Sequence, residues 1–191
     1  MEKYLSVGKS TLNSNLFMNI KNNGIKPLGG LWATKQDTQK RNSNAWIEHI
    51  FENPTILLFK YNNNLDSILL TLEDNANIFI LKTQKDLEFL KINFPSENDL
   101  IDYESISKCY DGLFINIHQL DVTAMMKFSV NSLILFNLDC INYYQKCKIS
   151  IESNDFEEYY GEYREFTDYI ISVDEEKQQV TNNPSLKRTL N

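Results

Sequence analysis

Short apolar runs separated by polar turns dominate the middle of the chain, and they constrain its fold more than any other feature. Thr55–Lys60, Ser67–Leu72 and Asn77–Lys82 are each six residues long and rich in Ile, Leu and Phe. Runs of this length between turn residues are typical of β-strands. Gly112–Ile117 and Ser132–Asn137 repeat the pattern. We therefore expect a sheet to organise the core.

Helices and two further strands are expected around these runs. Leu12, Leu16 and Ile20 recur at helical spacing before Gly24, which predicts a helix over Thr11–Asn23. The other expected helices are a segment that Ser43 or Asn44 caps and that carries Trp46, then Gln84–Lys91, Asp102–Cys109 and Phe156–Ile171. The other expected strands are Tyr4–Val7 and Leu31–Thr34.

The order of these elements favours an α+β fold. Strands outnumber helices, and several neighbouring runs are close enough in sequence to pair as hairpins. A mixed or antiparallel sheet fits this order better than a doubly wound parallel sheet. We expect one α+β domain over residues 1–150, an appended C-terminal helix over 151–173 and a flexible polar tail over 174–191.

Charge and composition limit the classes of partner. The chain of 191 residues has a formal charge of −7, so stable binding to duplex DNA is not expected. Three cysteines and two histidines stand at no metal-ligand spacing, so we expect free thiols and no metal site. The first residues lack a signal-peptide pattern, and no apolar run is long enough to span a bilayer. We expect a cytoplasmic protein that does not associate with membranes.

A glycine-rich turn followed by an aromatic residue is the strongest candidate for a binding site. Gly29 and Gly30 precede Trp32 in the segment Lys26–Thr34. Glycine permits close approach of the backbone to a ligand, and a rigid aromatic ring can form the wall of a pocket. We expect Trp32 to line a cleft and Trp46, which has aliphatic neighbours at helical spacing, to be buried.

The order of four stretches resembles the ADP-ribosyltransferase-like superfamily, in particular its small bacterial and phage members. These stretches are Tyr4–Gly24, Lys26–Thr34 with the Trp46 helix, Ile68–Leu81 with the helix from Gln84, and Tyr110–Ile115 followed by Asn131–Asn137. The resemblance implies a split, mostly antiparallel sheet with flanking helices. It also implies a cleft that binds NAD as a substrate.

The resemblance also assigns roles to residues. It implies a His or Arg on the first strand, a Ser, Thr or Tyr on the next, an aromatic ring that stacks on nicotinamide, and a glutamate that stabilises the oxocarbenium-like ribose. The candidates for NAD binding are Tyr4, Ser6, Gly29, Gly30, Trp32 and Thr34, and those for catalysis are Thr34, Asp111 and Asp121. The chain departs from the pattern, because its first strand has no His or Arg and no late strand ends in Glu.

Two functions follow, and the residues leave both open. The first is a mono-ADP-ribosyltransferase-like enzyme, phage- or toxin-related, that modifies a host protein or a nucleic acid. The alternative is a non-catalytic acidic phage or mobile-element protein that docks on a host protein or binds a nucleotide in a degenerate cleft. The absent glutamate favours the alternative, and the glycine-tryptophan turn favours the enzyme.

Overall fold

The computed structural model describes residues 2–14, 17–37, 44–52, 64–97, 100–117, 128–158 and 161–180. Within these ranges the chain forms eight strands and three helices. In chain order they are β1 (Tyr4–Val7), β2 (Leu31–Lys35), α1 (Ala45–Glu52), β3 (Asn64–Leu72), β4 (Ile78–Leu81), α2 (Gln84–Asn93), α3 (Tyr103–Cys109), β5 (Gly112–Ile115), β6 (Ser132–Leu135), β7 (Ile141–Glu158) and β8 (Gly161–Gln178).

The eight strands form one sheet in the order β4-β5-β6-β2-β1-β3-β7-β8. All neighbouring strands are antiparallel except β4 and β5, which are parallel. The expected mixed, mostly antiparallel sheet is therefore confirmed. β1 lies inside the sheet, where it pairs with β2 on one side and with β3 on the other. The strand predicted over Thr55–Lys60 lies outside the described residues.

Side chains at the helix N-termini account for where the three helices begin. Asn44 Oδ1 accepts the backbone N–H of Trp46 (3.1 Å) at the start of α1. At α2, Thr83 and Asp86 form a reciprocal capping box, and at α3 the Asp102 carboxylate accepts the N–H of Ser105 (3.1 Å). The three corresponding helix predictions are confirmed. No helix in the described ranges has the length and the apolar character needed to cross a bilayer.

The three helices pack on the same face of the sheet, which we call the helical face. Strand residues alternate between faces, and Leu5, Trp32 and Thr34 point to the helical face. α1 buries Ile47 there beside Leu5, while α2 and α3 cover a second cluster that Trp32 borders. The opposite face carries its own core of buried residues, including Tyr4, Leu31, Ala33, Ile68, Leu70, Leu133, Leu135 and Tyr144.

The helix predicted over Phe156–Ile171, and with it the appended helix over 151–173, is wrong. Residues 141–178 form the long antiparallel hairpin β7–β8. The strand register shifts between Glu152 and Ser153, where a bulge adds a residue to β8. A bulge displaces the alternation of a strand by one position. With the extra residue, apolar side chains on one face of the strand are separated by three positions in the sequence and not by two. A spacing of three is also found on one face of a helix. The part of the predicted tail beyond residue 180 lies outside the described residues.

The helix predicted over Thr11–Asn23 is also wrong for the residues that the structure describes. Leu12 packs in the core on the opposite face, whereas Ile20 packs in the core on the helical face. One amphipathic helix cannot serve two faces of a sheet. Instead, Lys21 and Leu28 form an isolated antiparallel bridge around a turn at Gly24, whose φ is 65°.

Candidate ligand-binding cleft

A cleft of about 280 Å³ on the helical face brings both tryptophans of the chain together. We call it the tryptophan cleft. It lies between β1, β2, α1 and the residues that lead into β6. Its lining residues are Leu5, Val7, Lys26, Trp32, Ala33, Thr34, Trp46, His49, Phe128, Ser129, Val130 and Ser132.

Trp32 is held in the cleft by a hydrogen bond and a ring contact. Its indole N–H donates to the carbonyl oxygen of Gly29 (3.0 Å). Its ring stacks on Phe128 with centroids 5.7 Å apart and planes inclined by 26°. Trp32 is half-buried and lines a cleft, as expected. Trp46, which was expected to be buried, is also half-buried and lines the same cleft.

Thr34 belongs to a buried polar network behind the cleft. Its hydroxyl donates to Asn44 Oδ1 (3.0 Å), the same oxygen that caps α1. The backbone N–H of Asn44 donates to the hydroxyl of Tyr169 on β8 (2.8 Å), and Asn44 Nδ2 donates to Gln36 Oε1 (3.2 Å). Because the Thr34 proton is used in this network, the side chain positions α1 against β2. Asn44 was predicted only as a helix cap.

Lys26 brings a positive charge to the cleft from a loop that α3 holds in place. The Tyr103 hydroxyl donates to the carbonyl oxygen of the preceding residue, Ile25 (2.8 Å). Asn22 Oδ1 accepts the backbone N–H of Tyr103 (2.8 Å). The Lys26 ammonium lies 4.9 Å from the centre of the Phe128 ring. Burial lowers the pKa of Lys26 from its ordinary value.

The ionisable side chains of the described lining are all basic. They are Lys26 and His49, and no Asp or Glu lines the cleft within the described ranges. The chain as a whole carries a formal charge of −7. The cleft is therefore a cationic and aromatic site in an acidic protein.

Gly29 and Gly30 are close to the chain itself, not to the cleft. A Cβ on Gly29 would overlap the carbonyl oxygen of Asn19 and lie 2.7 Å from that of Met18. The N–H of Gly30 donates to Met18 O (2.8 Å). Both glycines have positive φ, 83° and 71°. At Gly29 the close approach is to Met18 and Asn19, and at Gly30 it is to Ile20 and Leu135. Neither glycine is among the lining residues of the tryptophan cleft.

Tyr4 and Ser6 do not share the cleft with Trp32 and Thr34. Leu5 pairs directly with Thr34 across β1 and β2, and directly paired residues share a face. The neighbours of Leu5 therefore point to the opposite face. There the Tyr4 ring packs edge-on against Phe114, and its hydroxyl donates to Glu2 (2.8 Å). Burial, reinforced by Glu2, raises the pKa of Tyr4.

Asp111 directly precedes β5 and lines a second cleft of about 430 Å³. Its carboxylate accepts the backbone N–H of Asn77 (2.9 Å) and the side-chain amide of Asn137 (3.2 Å). Its backbone carbonyl accepts the N–H of Phe136 (2.7 Å). These bonds join the ends of β4, β5 and β6. The cleft that Asp111 lines contains neither Trp32 nor Thr34. Asp121 lies outside the described residues.

Three residues that give the cleft its chemistry were not predicted from the sequence. Lys26 is the first residue of the glycine-tryptophan segment, but it was not singled out there. Phe128 and His49 carry no local signal, because only the folded chain brings them to Trp32. Within the described ranges, no three His, Cys, Asp or Glu side chains are grouped as a metal site would require.

Comparison with protein-family models, with curated proteins and with solved structures finds no significant match to this chain.

Proposed function

We propose that the tryptophan cleft binds the ring and sugar of a nucleotide-class ligand, with NAD as the first candidate, and does not transfer ADP-ribose. The observation that carries this proposal is the lining itself. Aromatic rings from Trp32, Trp46 and Phe128 surround a space that also receives hydroxyl groups and a lysine. Planar rings favour stacking with a planar ligand, and a few convergent polar groups fix its orientation.

The size of the cleft supports partial rather than complete enclosure of a dinucleotide. Ligand sites for small molecules span roughly 300–1,000 Å³, and this cleft measures about 280 Å³. A nicotinamide or adenine ring with its ribose fits such a volume better than a whole NAD molecule. The remaining part of the ligand would extend towards solvent.

The chemistry of transfer argues for binding without turnover. Departure of nicotinamide leaves positive charge on the ribose, which a nearby carboxylate stabilises. The described lining offers cationic Lys26 in place of such a group. Asp111, one of the two catalytic carboxylate candidates, serves to join strand ends.

We also propose that the fold is ADP-ribosyltransferase-like. The mostly antiparallel sheet, and a cleft beside the strand that follows the glycine turn, support this identity. We also propose a cytoplasmic location. All three cysteines are free and two of them are buried, as is usual for proteins of reducing compartments.

Calorimetric titration of the full chain with NAD and with ADP-ribose tests the proposal. We expect saturable binding of at least one of them, and no release of nicotinamide from NAD. Trp32→Leu should weaken binding at least about fivefold, because one stacked base is worth about 1–3 kcal/mol. Phe89→Leu is the matched control, since Phe89 is an exposed aromatic residue on α2, away from the cleft.

The transferase is the rival function, and the same assay separates the two. Release of nicotinamide would overturn the non-catalytic proposal. Asp121→Asn would then show whether the remaining carboxylate candidate is required, with a host protein or a nucleic acid as acceptor. Absence of binding to both ligands would leave docking on a host protein as the better explanation.

A further inference from the structure

Lys26 is a partly buried cation without a carboxylate partner in the part of the chain that the structure describes. The ion pair found there joins Lys35 and Glu2 on the far side of β2. The contact of the Lys26 ammonium is with the ring of Phe128. A ring offsets part of the cost of removing an ammonium from water, by about 0.5–2 kcal/mol. An anion would offset considerably more.

The position of this charge is set by the fold and not by the lysine stem alone. The loop before Lys26 is tied to α3 through Asn22 and Tyr103. Phe128, the ring beneath the ammonium, is itself stacked on Trp32. The charge therefore lies beside the aromatic wall of the cleft, where a group attached to a stacked ring and sugar would be found.

We propose that Lys26 binds the phosphate of the ligand, so that the tryptophan cleft selects nucleotides over the corresponding nucleosides. This inference rests on the proposed function, because it names the ligand class of the same cleft. A lysine recognises phosphate as a point charge, without the fixed geometry of a guanidinium. The basic lining attracts such an anion, although the protein as a whole repels it.

The structural alternative is a lysine whose stem only covers an aromatic ring. Long charged side chains often bury their methylene groups in this way while the charge stays hydrated. Lys26→Met keeps a stem of similar length and removes the charge, whereas Lys26→Arg keeps the charge. Lys21→Met is the matched control, because Lys21 is exposed in the same loop and lies outside the cleft.

The experiment titrates these variants and the wild-type chain with three probes: NAD, nicotinamide riboside and inorganic pyrophosphate. We expect Lys26→Met to weaken NAD and pyrophosphate at least about tenfold, as loss of a charged hydrogen bond does. Binding of nicotinamide riboside should not change. Lys26→Arg and Lys21→Met should bind NAD within about threefold of wild type. Raised salt should weaken the wild type more than Lys26→Met.

The outcomes separate this inference from the proposed function. Equal NAD affinity in wild type and Lys26→Met, or equal weakening of NAD and riboside, overturns the role of Lys26 and leaves nucleotide binding standing. Pyrophosphate binding that depends on Lys26, with no binding of NAD or riboside, overturns the proposed function and supports an anion site. Absence of binding to all three probes overturns both. Thermal unfolding of each variant shows that the fold is intact.

Discussion

Single residues account for both the success and the failure of the site prediction. Trp32 was expected in a cleft and lines one, because a strand that follows a tight turn places its aromatic side chain beside the turn. Tyr4 and Ser6 were grouped with it on resemblance. A strand alternates its faces, and the register Leu5↔Thr34 directs their side chains to the opposite face. The pairing register of two strands that are distant in sequence cannot be predicted from the sequence of either strand alone.

At the glycine turn, the residue type correctly predicted a close approach to the backbone, but it did not show which atoms make that approach. Gly29 does permit a close approach, but the approaching atoms belong to Met18 and Asn19. Those residues come from a segment predicted as a helix. Because that segment is not helical there, the carbonyl groups of Met18 and Asn19 are available to lie against the turn.

Replacement of Gly29 by alanine tests this assignment. Gly24→Ala is the reference variant, because Gly24 has a left-handed φ of 65° but nothing lies within 4 Å of the added Cβ. It should lower the free energy of unfolding by about 1–2 kcal/mol. Gly29→Ala has the same backbone penalty and also forces a Cβ against two carbonyl oxygens. We expect about 1–3 kcal/mol of further loss, measured by urea denaturation. Equal losses in the two variants would contradict the close approach to Met18 and Asn19.

Helices and strands were predicted correctly where the sequence carries one periodicity. They were predicted poorly where strand alternation and helical spacing overlap. The short apolar strands that fall within the described residues, and the capped helices α1, α2 and α3, were found because their turn and cap residues are local. The β7–β8 hairpin was mistaken for a helix. On β7, Lys146 and Lys148 alternate with buried Cys147 and Ile149, but a bulge disturbs this period farther along. The edge strand β8 also carries charged residues, so its sequence resembles that of a solvent-exposed helix.

A cross-strand disulfide would distinguish the hairpin from the helix. Cys147 pairs directly with Val173 across β7 and β8, and paired antiparallel residues have Cα atoms about 4.5–5.5 Å apart. This separation suits a disulfide. We expect Val173→Cys to cross-link to Cys147 under a strong oxidant. The reaction will be slow without one, since burial raises the pKa of the Cys147 thiol to about 11.

The control for this cross-link is Ser172→Cys. Ser172 pairs with Lys148, so its side chain points to the other face of the hairpin. Peptide mapping should find the Cys147 disulfide only in Val173→Cys. The same cross-link at both positions, or at neither, would contradict the register of the hairpin.

At the scale of the molecule, one short strand connects the two halves of the sheet. β1 spans four residues, and through it the β4-β5-β6-β2 half is joined to the β3-β7-β8 half. Leu5, at its centre, is 1% exposed and packs with the core beneath α1. The tryptophan cleft lies over this junction, since Leu5 and Val7 line it together with Trp32. The site thus depends on cooperation between the two halves.

Truncation of Leu5 should therefore destabilise the whole described domain at once. We expect Leu5→Ala to cost about 2–5 kcal/mol, as buried leucines do. Tryptophan fluorescence reports on the cleft and far-ultraviolet circular dichroism on the long hairpin, and their urea transitions should shift together because both halves rest on β1. Leu28→Ala, at a position 50% exposed, should cost less than about 0.5 kcal/mol. A fluorescence transition that moves while the dichroism transition stays would mean that the hairpin unfolds independently of the cleft.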